Sequence, residues 1–335
     1  MTKRLKLAFM LLFCFLPVMA MADEANVKDI KKAAMPSLKK EKDTKELNLM
    51  LEWFVNPDHG PIIIAQQKGY FDQLGVKVKI QEPADPNLPP KLVAAGDVDL
   101  AVYYQPSLIH GVERGLPLIW AGTLIANTLD GVITLDDGPV KSLADLKGKT
   151  IGMSSNGTEF PKLDEIFKPY GFSSKDIKVV NVGWNLSSSL MSGQVDAVVG
   201  AYRNFEMNVL AMHGAKGKMF YYEENGVPPY DELIFIANKN KNDKEAIRRF
   251  LRGVELGTQY ITNNPEEAWK IFRDYNPKQL DNELNKRAWF DTVPYFAKRP
   301  AAKDIGRYDR FTQFLKGHGA IKKKLRARDY MISLY

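Results

Sequence analysis

Short apolar runs alternate with segments of helical spacing along most of this chain. From Leu47 onward, strand-like runs are followed by amphipathic stretches, and glycines or prolines separate the two. Strands that are joined through helices usually lie side by side in a largely parallel sheet, with the helices on its faces. At 335 residues the chain has room for two such lobes. The alternation therefore predicts an α/β fold, in which each lobe is a largely parallel sheet flanked by helices.

The pattern also predicts how the lobes are connected. We assign 47–133 and 232–335 to lobe 1 and 134–231 to lobe 2, so that the chain crosses between them near Asn127–Leu135 and again near Pro229–Ile236. Two lobes joined by two hinge strands can close around a ligand in the cleft between them. The cleft is therefore the expected binding site.

The first residues, 1–22, have the pattern of a cleavable signal peptide. Basic residues near the start precede the short apolar stretch Leu7–Leu16, and Ala20–Ala22 has the small-x-small pattern of a cleavage site. The apolar stretch is too short to span a membrane comfortably. We expect cleavage before Asp23, a location in a bacterial periplasm, and a polar, lysine-rich leader at 23–46.

Charge and cysteine content argue against several classes of function. The net charge of +7 comes largely from the two ends of the chain, and the sequence shows no basic face interleaved with aromatic residues, so no nucleic-acid partner is expected. The single cysteine, Cys14, lies in the predicted signal peptide, which leaves the mature chain without disulfides or cysteine metal ligands. The histidines lack metal-ligand spacing. We therefore predict neither a metal nor a cofactor.

A short segment after the first strand carries three side chains suited to a planar, nitrogen-rich ligand. Trp53, Asn56 and His59 follow the strand at Leu47–Leu51 and precede a helix that starts at about Pro61. Ligands of open α/β sheets bind at the carboxyl ends of strands. The structural alternative is a core tryptophan, a turn asparagine and a surface histidine.

Other predicted strand ends carry further candidates. They are Tyr103 and Tyr104 after the strand at 97–102, the loop residues Ser155, Asn156, Gly157 and Thr158, and Tyr202, Asn204 and Glu206 after the strand at 197–200. The loop opens onto a helix, so its backbone N–H groups could hold a phosphate or carboxylate, although a plain turn fits equally well. The tyrosines could pack at a rim, and Glu206 could cap a helix.

With these motifs the chain resembles the periplasmic solute-binding proteins of ABC importers with the type II fold. Within that group it is similar to the branch that binds thiamine pyrimidine precursors, which is related to the fungal thiamine pyrimidine synthases. The resemblance covers 47–335 and rests on a Trp-x-x-Asn-x-x-His element and a Gly-Ala-Tyr-x-Asn-x-Glu element. It implies a monomer that delivers its ligand to a permease and an ATPase at the inner membrane. It also implies that Trp53 stacks on the pyrimidine and that the following residues lie in the cleft: Asn56, His59, Tyr103, Tyr202, Asn204 and Glu206.

The resemblance leaves several ligands open. Hydroxymethylpyrimidine, its formylaminomethyl relative, its phosphate and thiamine all fit, and related folds bind taurine, nitrate, sulfonates and riboflavin. A carboxylate at Glu206 would accept from the amino group of a 4-aminopyrimidine. Arg203 stands where an aromatic residue is expected in this branch, which leaves the exact ligand open.

Two other functions are compatible with the same fold, a synthase-type enzyme and a sensor. The fungal synthases consume a lysine-bound pyridoxal phosphate and a histidine of the protein, and they carry a cysteine cluster. Here Tyr103 takes the place of the lysine, and Pro228–Ala237 contains no cysteine, so we predict that the protein is not an enzyme. A sensor built on the same fold would need a fused signalling domain or a partner surface, and the sequence indicates neither.

Overall fold

The computed structural model describes residues 43–154 and 159–334. The predicted signal peptide and nearly all of the predicted leader lie outside these residues, as does the predicted loop Ser155–Thr158. Within the two described ranges, no helix is long and apolar enough to cross a membrane. The first strand begins at Lys45, two residues before the predicted start of lobe 1.

The described residues form two five-stranded sheets. The strands are β1 (Lys45–Met50), β2 (Val76–Gln81), β3 (Leu100–Tyr103), β4 (Leu118–Ile125), β5 (Asp130–Leu135), β6 (Thr150–Met153), β7 (Lys178–Asn181), β8 (Ala197–Tyr202), β9 (Gly217–Tyr221) and β10 (Leu233–Asn238). The first sheet has the order β2-β1-β3-β10-β4, and the second has the order β7-β6-β8-β5-β9. The predicted two-lobed α/β architecture is therefore confirmed.

Both sheets are mixed, but four of the five strands in each run in the same direction, in line with the expectation of largely parallel sheets. In the first sheet β1 runs parallel to β2 and β3, but β10 runs antiparallel to β3 and β4. In the second, β6 is parallel to β7 and β8, while β5 is antiparallel to β8 and β9. The antiparallel pairs arise because β5 and β10 enter each sheet directly from the other lobe and not through a local crossover helix.

Helices surround both sheets. They are α1 (Gly60–Gln67), α2 (Tyr70–Gln73), α3 (Pro89–Ala95), α4 (Gln105–Glu113), α5 (Phe160–Phe167), α6 (Leu186–Met191), α7 (Glu206–Met212), α8 (Lys244–Asn263), α9 (Pro265–Tyr275), α10 (Pro277–Leu280), α11 (Glu283–Thr292) and α12 (Ile305–Gly317). Short 3₁₀ helices occur at Pro57–His59, Leu143–Leu146, Lys168–Tyr170, Ser174–Asp176, Val293–Tyr295 and Ala327–Asp329. α3 and α9 each begin at a proline, whose missing N–H costs nothing in the first turn of a helix.

The two crossings between the sheets are bonded to each other. β5 already belongs to the second sheet, whereas our prediction starts lobe 2 at residue 134. The side chain of Glu232, just before β10, accepts from the backbone N–H of Leu129 at 2.8 Å and of Asp130 at 3.1 Å. One carboxylate thus ties together both chain segments that join the lobes.

In the first lobe, α1 and α8 approach each other closely at a glycine. A Cβ at Gly257 would lie 2.2 Å from the carbonyl oxygen of Pro61 and 3.2 Å from the backbone nitrogen of Ala65. The helix backbones therefore touch, which holds α1 and the Pro57–His59 turn before it against the core.

Gly257→Ala is expected to lower the free energy of unfolding by about 1–3 kcal/mol, because an added methyl group must push the two helices apart. Urea unfolding followed by tryptophan fluorescence measures the change. Gly317→Ala is the matched control, since a Cβ there meets no atom within 4 Å and alanine favours a helix more than glycine does. Equal midpoints for the two variants would contradict the close packing of α1 on α8.

Candidate functional site

A cleft between the two sheets holds six of the eight predicted site residues that the structure describes. It contains about 1030 Å³ of space, part of it open to solvent. Of the predicted residues, the following line it: Trp53, Asn56, Tyr103, Tyr104, Tyr202 and Glu206. Trp53 follows β1, Tyr103 ends β3 and Tyr202 ends β8. These strand ends meet in one place because the strands that carry them end on the side of each sheet that faces the other lobe.

Asn56 lines the cleft, but its amide group is engaged in the turn that follows β1. Its Oδ1 accepts from the backbone N–H of Asp58 at 2.9 Å, and its Nδ2 donates to the carbonyl of Phe54 at 3.0 Å. The bond from Asp58 caps the 3₁₀ helix Pro57–His59, and the bond to Phe54 ties the same amide to the preceding turn. Asn56 therefore shapes the wall of the cleft, as in the turn interpretation of the sequence.

His59 does not line the cleft. Its ring is fully buried, and Nε2 lies 3.0 and 3.1 Å from the two carboxylate oxygens of Glu52. Because Nδ1 accepts from the backbone N–H of Asn56 at 3.2 Å, the ring proton is placed on Nε2, which donates to Glu52. The histidine thus orients Glu52, which does line the cleft.

Asn204 lies behind the wall of the cleft, between the lobes. It is only 1% exposed, and its Nδ2 donates to Asp58 Oδ1 at 2.6 Å and to Thr292 Oγ1 at 2.7 Å. Burial raises the pKa of Asp58 to about 6. Asn204 belongs to the second lobe and both partners belong to the first, so its amide bonds the lobes directly to each other.

Glu206 lines the cleft at the start of α7. Its Oε2 accepts from the backbone N–H of Tyr202, the last residue of β8, at 2.6 Å. Burial raises the pKa of Glu206 to about 7, although the backbone bond from Tyr202 works in the opposite direction. One carboxylate oxygen is thereby fixed by the protein, which sets how the other is presented to a ligand.

Sequence reasoning missed a buried charge cluster at the hinge end of the cleft. Lys162 Nζ lies 2.6 Å from Asp130 Oδ2 and 2.8 Å from Glu159 Oε2, and it donates to the Tyr230 hydroxyl at 3.1 Å. Burial alone would lower the pKa of Lys162, but the nearby carboxylates raise it above its ordinary value. A signal was present in the sequence, because Lys162 falls on the buried stripe of α5.

The lining of the cleft is strongly acidic. It includes one ammonium group, Lys162, and six carboxyl groups, those of Glu52, Asp58, Asp130, Glu159, Glu206 and Glu232. Burial, followed by repulsion from Asp130, raises the pKa of Glu159 to about 7 and that of Glu232 to about 8. Carboxyl groups with pKa values this high are partly protonated near pH 7, so the lining carries fewer negative charges than it has carboxyl groups. A ligand with hydrogen-bond donors or positive charge still fits this lining better than an anion does.

Arg203 and Trp184 differ from what the sequence suggested. Arg203 lies away from the cleft lining, where its Nη2 pairs with Glu223 at 2.7 Å and its guanidinium lies over the ring of Tyr221. Trp184, which we did not single out from the sequence, contacts Trp53 from the second lobe with ring centroids 3.9 Å apart. Among the described residues, no group of three histidine, cysteine, aspartate or glutamate side chains is arranged to hold a metal ion.

Solved structures of periplasmic binding proteins share this architecture. The alkanesulfonate-binding protein SsuA from Xanthomonas axonopodis pv. citri matches with a TM-score of 0.68 at 13% sequence identity, covering 87% of this chain and 99% of that one. At this identity the likeness shows the fold alone. The chain thus has the two-lobed α/β fold of the periplasmic binding proteins. It belongs to the NMT1/THI5-like family, whose sequence model matches residues 56–268.

Relatives within the family have two kinds of name. A Haemophilus influenzae protein whose name links it to thiamine biosynthesis is 48% identical over 90% of this chain and 94% of its own length. The formylaminopyrimidine-binding protein of Halalkalibacterium halodurans is 33% identical, covering 67% of this chain and 69% of its own length. A 4-amino-5-hydroxymethyl-2-methylpyrimidine phosphate synthase of Saccharomyces cerevisiae is 30% identical, covering 76% of this chain and 78% of its own length. The family therefore includes both a binding protein and an enzyme by name.

Proposed function

We propose that this protein captures a thiamine pyrimidine precursor in the cleft and delivers it to an ABC importer. The observation that carries the proposal is that an aromatic ring from one lobe, Trp53, and a carboxyl group from the other, Glu206, line the same cleft. A ligand that touches both groups would link its own recognition to closure of the lobes. The formylaminopyrimidine-binding relative supports a ligand of this class.

The chemistry of a 4-aminopyrimidine matches these two groups. Its flat ring would stack on Trp53, where an aromatic contact is worth about 0.5–1.5 kcal/mol beyond burial. Its amino group would donate to the carboxyl oxygen of Glu206 that Tyr202 does not hold. The ring nitrogen beside the amino group would accept from Glu206 in its protonated form, which is accessible because its pKa is about 7.

The acidic lining supports an uncharged or cationic ligand over an anionic one. Among the described lining residues, carboxyl groups outnumber ammonium groups six to one. This excess disfavours a phosphate ester or a sulfonate even though burial leaves Glu159, Glu206 and Glu232 partly protonated near pH 7, and Lys162 already donates to Asp130, Glu159 and Tyr230. Hydroxymethylpyrimidine and its formylaminomethyl relative are thus favoured over the phosphate and over taurine-like solutes. Thiamine, a cation, remains compatible with the lining.

A synthase-type enzyme is the second candidate, since family relatives carry that name. Such chemistry would need an uncharged lysine amine to react with an aldehyde. Tyr103 and Tyr104 occupy the strand end where the lysine was expected, and Lys162 is held protonated by its carboxylate neighbours. These observations support a binding protein that performs no reaction.

Export and partners belong to the same proposal. The signal-peptide pattern at residues 1–22 supports secretion to the periplasm, and the fold is shared with binding components of importers. We therefore propose a monomer that meets a permease and its ATPase at the inner membrane. The proposed domains are a leader that ends before β1, a first lobe that lies on both sides of the second in sequence, and a second lobe that begins with β5 and ends near residue 231.

Mass spectrometry of small molecules released from the purified protein would identify the ligand directly. Titration calorimetry would then compare 4-amino-5-hydroxymethyl-2-methylpyrimidine, its phosphate and taurine. We expect the alcohol to bind at least about tenfold more tightly than its phosphate, because the lining disfavours the phosphate dianion, and we expect no binding of taurine. Tighter binding of taurine or of the phosphate would overturn the proposal, and conversion of any added compound would favour the enzyme.

A further inference from the structure

Side chains of the second lobe contact the first lobe at several places, including Asn208, which donates to Asp291 at 2.7 Å, and Glu165, 2.9 Å from His318. Two others, Trp184 and Asn204, lie at the edge of the cleft. Trp184 packs its ring against Trp53, with centroids 3.9 Å apart and planes at 73°, and against Phe54, with centroids 4.8 Å apart. Asn204 donates to Asp58 and Thr292, as described above. These contacts involve neither of the two hinge crossings, so they exist only when the lobes are together.

Each side of the aromatic contact is fixed within its own lobe. The backbone N–H of Val55 donates to Glu82 at 2.7 Å and its carbonyl accepts from Gln279 at 3.1 Å, which holds Trp53 and Phe54 on the first lobe. Trp184 lies in the turn between β7 and α6, where Gly183 N–H donates to Asn181 Oδ1 at 2.9 Å. Gly183 has a φ of +54°, a conformation that suits glycine and places Trp184 towards the other lobe.

The contacts are suited to holding the lobes together. Phe54 is 43% exposed, so opening the lobes would expose further aromatic surface to water. Asn204 and Asp58 are almost completely buried, and separating them would leave polar groups to be solvated again. Both contacts favour the closed arrangement, and neither requires a ligand atom.

We propose that Trp184 and Asn204 form a closure clasp, in which Trp184 positions the ring platform Trp53 and both residues set how long a bound ligand stays. In this arrangement closure is an equilibrium of the protein itself, and the ligand shifts it further. A ligand held between the closed lobes leaves sooner when the clasp opens more readily, whereas association starts from the open arrangement. A weaker clasp should therefore raise the dissociation rate more than it changes the association rate. The ligand part of this inference rests on the proposed function, but the closure part does not.

Trp184→Ala tests the clasp in the ligand-free protein. Small-angle X-ray scattering should give a larger radius of gyration for this variant than for the wild type, and Trp184→Phe should give an intermediate value. Tyr170→Ala is the matched control, because Tyr170 is a 46% exposed aromatic residue of the second lobe outside the cleft. Equal radii for the wild type and Trp184→Ala would overturn the proposal, whatever the ligand proves to be.

Stopped-flow fluorescence with 4-amino-5-hydroxymethyl-2-methylpyrimidine tests the effect on residence. We expect the dissociation rate to rise about tenfold in Trp184→Ala and to be partly restored in Trp184→Phe, with association changed less than twofold. An unchanged dissociation rate would overturn the role in residence. Absence of binding by the wild type would count against the proposed ligand and leave the scattering result as the test of the clasp. Thermal melts show whether each variant is folded.

Discussion

Lys162→Met is expected to lower the free energy of unfolding by about 3–5 kcal/mol, because it removes the ammonium group from a buried cluster and leaves the carboxylates unpaired. Asp130 would keep its bonds from the backbone N–H groups of Gly131 and Gly200, so the lower end of that range is expected. Denaturant unfolding measures the loss. Lys147→Met, at an exposed position of the second lobe, should change stability by less than about 0.5 kcal/mol.

The loss should depend on pH in a defined direction. The pKa of Glu159 is raised to about 7 and that of Glu232 to about 8, from an ordinary value of 4.5. A carboxyl group whose pKa is higher in the folded than in the unfolded protein stabilises the fold fully at pH values below its unfolded pKa. This contribution is lost as the pH rises through the folded-state pKa values of about 7 and about 8. Removing the ammonium raises the carboxyl pKa values further. The destabilisation by Lys162→Met should thus be larger at pH 8 than at pH 5, and an equal loss at both would contradict the charge cluster.

Glu206→Gln is expected to weaken the binding of a 4-aminopyrimidine by about ten- to a hundredfold. The N–H of Tyr202 lies 2.6 Å from Oε2, so the amide oxygen of glutamine would be held there and its NH₂ group would face the cleft. The NH₂ group of glutamine and the amino group of the ligand are both donors, so they would repel each other. In the wild type a charge-assisted bond of about 1.5–3 kcal/mol forms at this place.

A ligand pair separates recognition from support of the lobe in this test. Titration calorimetry would compare the aminopyrimidine with an analogue that lacks the 4-amino group, in both the wild type and Glu206→Gln. Affinity for the analogue should change little, because it never used that bond. Losses of the same size for both ligands would show that Glu206 supports the start of α7 and does not contact the ligand.

Local sequence patterns predicted that Trp53 and Glu206 follow the ends of strands. In the structure these strand ends face each other, so both residues line one cleft. Local patterns could not predict the direction of β5 and β10, because each strand's partners are set by its entry from the other lobe. The limits of helices such as α9 were predictable because proline and amphipathic spacing act over a few residues.

The candidate site was less predictable where a side chain is engaged by a distant partner. Asn204 was predicted to lie in the cleft as part of the Gly-Ala-Tyr-x-Asn-x-Glu element. Nothing near it in the sequence indicates that its amide donates to Asp58 and Thr292. His59 was likewise expected in the cleft, although Glu52 holds it in the core. The position of Lys162 on the apolar stripe of α5 could have predicted the charge cluster, because a buried lysine needs carboxylate partners.

β10 lies between β3 and β4 in space but is synthesised long after both. Phe235 pairs with Val102, which precedes it by about 130 residues, whereas Ile151 and Ala197 in the second sheet are separated by about 46. The segment between the two crossings can therefore assemble its sheet while the ribosome is still making the chain that the first sheet lacks. The lobe in which the described chain begins is the last to be completed.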